Sequence, residues 1–102
     1  MMRFILAPEA ERDLDEIWEY IAQDDLDAAD RFIEKLLDNV RKLADRPGMG
    51  HTREDLVEDR ALRFWPVGNY LISYRAVALP IEIVAVVQGS HDIPSFIARR
   101  SL

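Results

Sequence analysis

Two arginines are candidates for a functional role, because they lie in strand-like runs on either side of one short turn. The segment reads LRFWPVGNYLISYR, with Arg63 before the turn and Arg75 after it. Side chains two residues apart share one face of a strand, so the register decides whether the two guanidinium groups meet. A turn centred on Asn69 leaves each arginine six residues away, opposite the other and on one face. We expect this register, because a two-residue turn at Gly68-Asn69 would pair Arg63 with Tyr74 and send Arg75 toward the helices, where burying a charge is costly.

An anion is the ligand that two neighbouring guanidinium groups would suit, because they bind carboxylates and phosphates through charge-assisted hydrogen bonds. Three aromatic side chains, Trp65, Tyr70 and Tyr74, would flank such a patch. The alternative is that each arginine pairs with an acidic residue of its own or extends into water. The residues alone leave both interpretations open.

The distribution of charge favours the second half of the chain as the place where an anion would bind. The 102-residue chain has a formal net charge of −6. Residues 1–45 carry thirteen acidic and six basic side chains, whereas residues 46–102 carry six acidic side chains and seven arginines. The overall sign argues against a protein that coats nucleic acid, because neutralising phosphates requires a basic face. We therefore expect no direct sequence-specific binding of nucleic acid.

Composition limits the class of protein further. The 49% hydrophobic and 31% charged fractions are typical of one globular domain, which we expect to span residues 1–102. Without cysteine there are no disulfides or thiolate metal sites, and the two histidines, His51 and His91, show no metal-ligand spacing. We expect no metal and no cofactor. The longest apolar run, residues 83–87, is too short to cross a bilayer, and no secretion signal is evident, so we expect a cytoplasmic protein without a membrane partner.

The first half of the chain predicts a short strand and a helical hairpin. Residues 3–6 form an apolar run, and Pro8 then suits the first turn of a helix. Apolar residues recur at helical spacing over residues 8–23, and a second stripe follows the break at Asp24-Asp25 and fades at Asp45. The short break predicts two antiparallel helices whose apolar faces need a further layer to cover.

The second half predicts the sheet that these helices cover. A polar loop at residues 51–60 precedes strand-like runs at residues 61–67, 70–78 and 81–88, and a short helix is expected within residues 93–102. The order β-α-α-β-β-β predicts an α+β fold, with the N-terminal helical hairpin packed on one face of a small antiparallel sheet. The helices should cover the more apolar strand faces, which would leave Arg63 and Arg75 on the opposite side.

An ordered series of short motifs covers nearly the whole chain, from about residue 4 to about residue 94. It begins with APEAERDLDEI at residues 7–17, where the usual Ser-Pro is Ala-Pro, and continues with YI at 20–21, DAA at 27–29, FI at 32–33, LR at 62–63, PVG at 66–68, YLI at 70–72, YR at 74–75 and IEI at 81–83. This series resembles the ParE/RelE superfamily of toxins from bacterial type II toxin–antitoxin modules. The resemblance implies a compact β-α-α-β-β-β fold, which agrees with the elements predicted from periodicity.

Members of this superfamily have two different activities. RelE-like members cleave messenger RNA in the ribosome, which requires proton transfer and cations beside the phosphate. If this chain were such a ribonuclease, Arg63, Arg75 and His91 would be its catalytic residues. ParE-like members poison DNA gyrase, a type II topoisomerase, and need no nuclease centre.

Composition favours the ParE-like branch. The chain is acidic, whereas a nuclease that acts on ribosome-bound RNA should be basic, and its only lysines are Lys35 and Lys42 on the second predicted helix. Gln88 stands where ParE-like chains commonly have histidine, which leaves the role of this position open. The resemblance therefore implies a gyrase-inhibiting, plasmid-stabilisation type of toxin rather than an enzyme. A ribonuclease and an inactive, antitoxin-binding member remain as alternatives.

The resemblance also implies a ParD-like antitoxin partner, whose tail lays a helix across the helical hairpin and an extended piece along the sheet. Large aromatic residues anchor such interfaces; Tyr20 lies off the apolar stripe and is the better candidate, whereas Trp18 lies on it and is expected in the core. Because positive charge is concentrated in the second half, we expect antitoxin charges to pair there rather than with Arg12, Arg31 and Lys35. The residues predicted to bind the antitoxin or the target are Tyr20, Arg53, Arg60, Arg63, Trp65, Tyr70 and Arg75.

Overall fold

A computed structural model of the chain describes residues 4–53, 55, 61–77, 79–89 and 93–95. Its elements follow the order β-α-α-β-β-β, so the predicted α+β fold class is confirmed. In chain order they are strand β1 (Phe4–Leu6), helices α1 (Pro8–Ala22) and α2 (Leu26–Asp45), a 3-10 turn (Pro47–Met49), and strands β2 (Leu62–Val67), β3 (Tyr70–Arg75) and β4 (Ile81–Gln88). Residues 93–95 are helical, and the remainder of the predicted C-terminal helix lies outside the described residues.

The local sequence explains where the two long helices begin. Pro8 occupies the first turn of α1, and the acidic side chains of Glu9 and Glu11 lie at its positive end. At the start of α2, the side chain of Asp25 accepts a hydrogen bond of 3.0 Å from the backbone N–H of Ala28. The short connection lets the two helices pack side by side as the predicted hairpin. Within the described part of the chain, neither they nor any other helix is long and apolar enough to cross a membrane.

The four strands form one mixed sheet in the order β1-β4-β3-β2. Strands β2, β3 and β4 are antiparallel neighbours, whereas β1 pairs in parallel with β4. The prediction of an antiparallel sheet therefore holds for three strands and is wrong for the first. The physical reason is the long connection, since the helices and two strands between β1 and β4 let the chain return in the same direction.

A β-bulge in β4 determines which of its side chains face the helices. The register shifts between Ser73 and Tyr74, so that Ile72 lies opposite Val86 whereas Tyr74 lies opposite Ile83. One extra residue of β4 is accommodated between these pairs. Val86 and Ile83 are three residues apart, yet both enter the same apolar layer.

The sheet separates two apolar layers. The larger, helix-side layer has as its buried members Ala10, Ile17, Leu36, Val40, Leu43, Ala44, Val67, Ile72, Tyr74, Ile81, Ile83 and Val86. The outer layer contains Leu62, Phe64, Ala85, Val87 and Ile93. Trp18, which we expected in the core, is half-buried between the helices, where its Nε1 donates a hydrogen bond of 2.8 Å to Asp30. Trp18 therefore links helix α1 to helix α2.

Candidate functional site

The connection between β2 and β3 fixes where both candidate arginines lie. Gly68 has a φ of +58°, in the left-handed region that glycine adopts without strain, and forms a two-residue turn with Asn69. The resulting register pairs Arg63 with Tyr74. The predicted register, with Arg63 opposite Arg75, is therefore wrong by one residue, and such a slip moves side chains to the other face.

The two arginines consequently lie on opposite sides of the sheet. Trp65 and Tyr74, the neighbours of Arg63, pack in the helix-side layer, whereas Leu62, the partner of Arg75, belongs to the outer layer. The expectation that the helices would leave both arginines on the far side is also wrong, because the helices cover the Arg63 face of β2. Within the described residues, Arg63 and Arg75 form no shared anion patch.

Arg63 and Tyr74 attach the 3-10 turn to the sheet. The Nη1 atom of Arg63 donates a hydrogen bond of 2.9 Å to the carbonyl oxygen of Gly50. The Tyr74 hydroxyl donates to the carbonyl oxygen of Pro47 at 2.7 Å and accepts from the N–H of Gly50 at 2.9 Å. A Cβ at position 50 would come within 2.7 Å of the Tyr74 ring, so glycine permits this close approach. Arg63 therefore has a structural role that its sequence context did not reveal.

Trp65 is likewise engaged inside the fold. Its Nε1 donates a hydrogen bond of 3.0 Å to the side-chain oxygen of Asn39 on α2. One ring face stacks on His51, with 6.5 Å between the ring centroids and 26° between the planes. The backbone of His51 in turn forms a bridge with Phe64 on the outer edge of β2. These contacts hold the edge strand β2 to helix α2 and to the segment around His51.

Arg53 is already paired within the chain. Its Nε and Nη2 atoms donate hydrogen bonds of 2.9 and 2.8 Å to the two carboxylate oxygens of Asp55. This contact raises the pKa of Arg53 and lowers the pKa of Asp55. Because both side chains are exposed, an external carboxylate would have to compete with Asp55 for Arg53. Two other predicted residues, Arg60 and His91, lie outside the described residues.

Tyr20 and Tyr70, both predicted to bind a partner, come together at a cleft between α1 and the strands β3 and β4. This α1 cleft has a volume of about 230 Å³. It is lined by Asp13, Glu16, Ile17, Tyr20, Tyr70, Val86, Val87 and Gln88. Tyr20 is 68% exposed, whereas the ring of Tyr70 packs against Phe32 with 5.4 Å between ring centroids. Burial raises the pKa of Tyr70, and Tyr20 adds to the shift.

The α1 cleft also contains a buried carboxylate that the sequence analysis did not single out. Asp13 is 6% exposed, and its Oδ2 accepts a hydrogen bond of 2.9 Å from the backbone N–H of Val86. Because β1 ends at Leu6, opposite Ile83, this N–H lies beyond the strand that would otherwise pair with it. The signal was present in the sequence, since Asp13 lies four residues before Ile17 on the apolar stripe of α1. A polar residue on such a stripe indicates a buried hydrogen bond.

Comparisons with known proteins define first the class of fold and then the family. The structure matches a solved structure described as "Chromosomal ParDE TA system from P. aeruginosa", with a TM-score of 0.71 and 20% sequence identity, over 86% of this chain and 96% of that chain. A family model described as "ParE toxin of type II toxin-antitoxin system, parDE" matches residues 4–93. The chain therefore belongs to the ParE toxin family of type II toxin–antitoxin systems, which confirms the resemblance. Among curated proteins, no match was found.

Replacing Tyr74 by phenylalanine should destabilise the fold, because it removes the hydroxyl that bonds to both Pro47 and Gly50. We expect Tyr74→Phe to lower the free energy of unfolding by about 1–3 kcal/mol, the usual cost of leaving such groups unpaired. Urea denaturation measures the change. Tyr20→Phe is the matched control, since it removes the same atom from an exposed side chain. Equal stability of the two variants would contradict the structural role of the Tyr74 hydroxyl.

Alkaline pH should weaken the protein partly through the same residue. Burial is the main cause that raises the pKa of Tyr74 above its ordinary value, so the folded state binds this proton more tightly than the unfolded state. The stability from Tyr74 is therefore intact below about pH 10 and is lost as the pH rises toward the folded-state pKa. Urea denaturation between about pH 9 and about pH 11 should show a shallower loss for Tyr74→Phe than for wild type. Some loss of stability with rising pH should remain in Tyr74→Phe, because the pKa of Tyr70 is raised too. Parallel profiles for Tyr74→Phe and wild type would refute the assignment of this loss to Tyr74.

Proposed function

We propose that this ParE-family toxin inhibits DNA gyrase by binding and is not a ribonuclease. The observation that supports this choice is the separation of Arg63 and Arg75 by the sheet. Cleavage of RNA needs cations gathered around one phosphate, whereas Arg63 is bonded to the carbonyl oxygen of Gly50 and Arg75 lies on the other face. The net charge of −6 acts in the same direction, because it repels RNA.

The outer face offers Arg75 an acidic neighbour. Arg75 lies opposite Glu82 of β4 in the sheet register, an arrangement in which opposite charges attract each other. The ribonuclease set of Arg63, Arg75 and His91 therefore has no geometric support among the described residues. We also propose that the toxin acts in the cytoplasm. This location agrees with a target in DNA metabolism.

A cognate ParD-like antitoxin is the proposed neutralising partner. The family is that of toxins from type II toxin–antitoxin systems, and the similar solved structure is described as a ParDE system. Tyr20 and Tyr70 offer it aromatic surface at the α1 cleft, of the kind that anchors protein interfaces. Arg53, Arg63 and Trp65 already have partners within the chain, so we propose that Tyr20 and Tyr70 contribute most of the binding energy.

Purified protein should inhibit supercoiling by gyrase. With gyrase, ATP and plasmid DNA, we expect loss of supercoiling and a trapped cleavage complex at a molar excess of toxin, visible on agarose gels. Addition of the antitoxin should restore activity. The same preparation should leave messenger RNA intact in a coupled in vitro translation reaction, which serves as the comparison.

The two assays together separate the possible outcomes. Messenger RNA cleavage without any effect on gyrase would overturn the proposal and favour the ribonuclease. No effect in either assay, combined with tight antitoxin binding, would show an inactive member of the family.

Truncation of Tyr20 should weaken the antitoxin complex without unfolding the toxin. We expect Tyr20→Ala to raise the dissociation constant by about tenfold or more, because exposed aromatic anchors dominate such interfaces. Isothermal titration calorimetry measures this change. Val77→Ala is the control, since Val77 is 78% exposed and does not line the α1 cleft. An unchanged dissociation constant for Tyr20→Ala would exclude this anchor.

A further inference from the structure

We propose that the α1 cleft receives an arginine side chain from an extended peptide segment that lies along the edge of β4 beyond Ile83, which no described strand covers. The inference rests on the proposed function, because we take this segment to belong to the antitoxin. It reverses the charge relation expected from the sequence, in which acidic antitoxin residues pair with arginines of this chain. Here the toxin supplies the carboxylate, that of Glu16, and the partner supplies the cation.

The lining of the α1 cleft has the charge and the surface that a guanidinium group needs. Glu16 contributes an exposed carboxylate, whereas the buried carboxylate of Asp13 is already bonded to the N–H of Val86. Neither lysine nor arginine occurs among the described residues that line this cleft. The rings of Tyr20 and Tyr70 belong to the same lining, and cations are attracted to the faces of aromatic rings. Arginine suits this combination better than lysine, because its planar group both pairs with carboxylates and stacks on rings.

The backbone beside the cleft indicates that the arginine belongs to a peptide. Strand β1 covers β4 only as far as Ile83, where the N–H of Ala7 donates to the Ile83 carbonyl oxygen at 3.0 Å. Beyond this point the N–H of Val86 is bonded to Asp13 and not to a strand. In an antiparallel pair the carbonyl of a residue points to the same edge as its N–H, so the Val86 carbonyl and the backbone of Gln88 also face this edge. An extended segment can bond there and direct alternate side chains into the neighbouring cleft.

The distribution of charge selects a basic segment over an acidic one. Residues 1–45, which include both helices, carry thirteen acidic and six basic side chains. An acidic segment would be repelled by this surface, whereas a basic one is attracted and oriented as it approaches. The competing mode, acidic residues on Arg53 and Arg63, must displace Asp55 from the first and the Gly50 carbonyl from the second.

Capped tripeptides test the inference with chemically defined probes. We would titrate the ¹⁵N-labelled protein with acetyl-Val-Arg-Val-amide and follow its backbone amide signals by NMR. The expected result is saturable shifts at Glu16, Val86 and Gln88, which acetyl-Val-Glu-Val-amide does not produce. Glu16→Gln should raise the dissociation constant of the arginine peptide by about tenfold, the effect of losing one charge-assisted contact. Glu11→Gln is the matched control, because Glu11 is an exposed glutamate of α1 that does not line the cleft.

Two results would overturn the inference. The first is the absence of arginine-specific shifts at the cleft, or equal shifts with the glutamate peptide. The second is an equal response to spermidine, which would define a site for small cations and not for a peptide. Antitoxin binding and gyrase inhibition are measured separately on the same protein. A toxin that inhibits gyrase but ignores the arginine peptide contradicts this inference alone, whereas one that binds the peptide without affecting gyrase contradicts the proposed function.

Discussion

The two-residue turn at Gly68-Asn69 sets the register of β2 against β3, and the packing of both apolar layers follows from that register. Side chains alternate along a strand, so moving this register by one residue would exchange the side chains of β2 between the two apolar layers. With the observed register Val67 enters the helix-side layer and Phe64 the outer layer. Tyr74 can then reach the Pro47–Met49 turn that ends the helical hairpin. The conformation of Gly68 thereby sets the register in which Tyr74 links the sheet to the end of α2.

The same constraint shapes the two edges of the sheet, which differ in how they are protected. On β2, the N–H and carbonyl of Phe64 are bonded to the backbone of His51 at 2.7 and 3.0 Å, and Pro66 has no N–H to offer. On β4, the protection that the described residues provide consists of a three-residue strand followed by the carboxylate of Asp13. The turn also sets Tyr70 against Phe32, beside this second edge. The β4 edge and the aromatic cleft are therefore neighbours because of how the hairpin folds.

Periodicity and chain breakers were sufficient to predict the order of the elements and the fold class, because amphipathic stripes and Pro-Gly breaks are local signals. The register was not predictable in this way, since both turn geometries at Gly68-Asn69 fit the sequence and differ by one residue. The bulge in β4 and the parallel pairing of β1 depend on pairing between residues far apart in the chain, which no local pattern encodes. Tyr20 and Tyr70, two of the residues predicted to bind a partner, lie at the α1 cleft, and Tyr20 was chosen for its position off the apolar stripe; their binding role stays a prediction. Glu16 was missed, because an exposed glutamate on a helix carries no distinguishing signal until the fold brings it beside Tyr20 and Tyr70.

The acidity of the helical hairpin is the feature that the isolated fold explains least well. A few of its charges are used locally, as where Arg41 bonds to Asp38 at 2.6 Å and Trp18 bonds to Asp30 at 2.8 Å. Such exposed pairs contribute little stability, and the remaining excess of negative charge repels itself in the compact state. That repulsion decreases when a partner brings positive charge to the hairpin. Binding of a basic surface would therefore lower the electrostatic free energy of the protein. The excess of thirteen acidic over six basic side chains in residues 1–45 therefore favours association with a surface of positive charge.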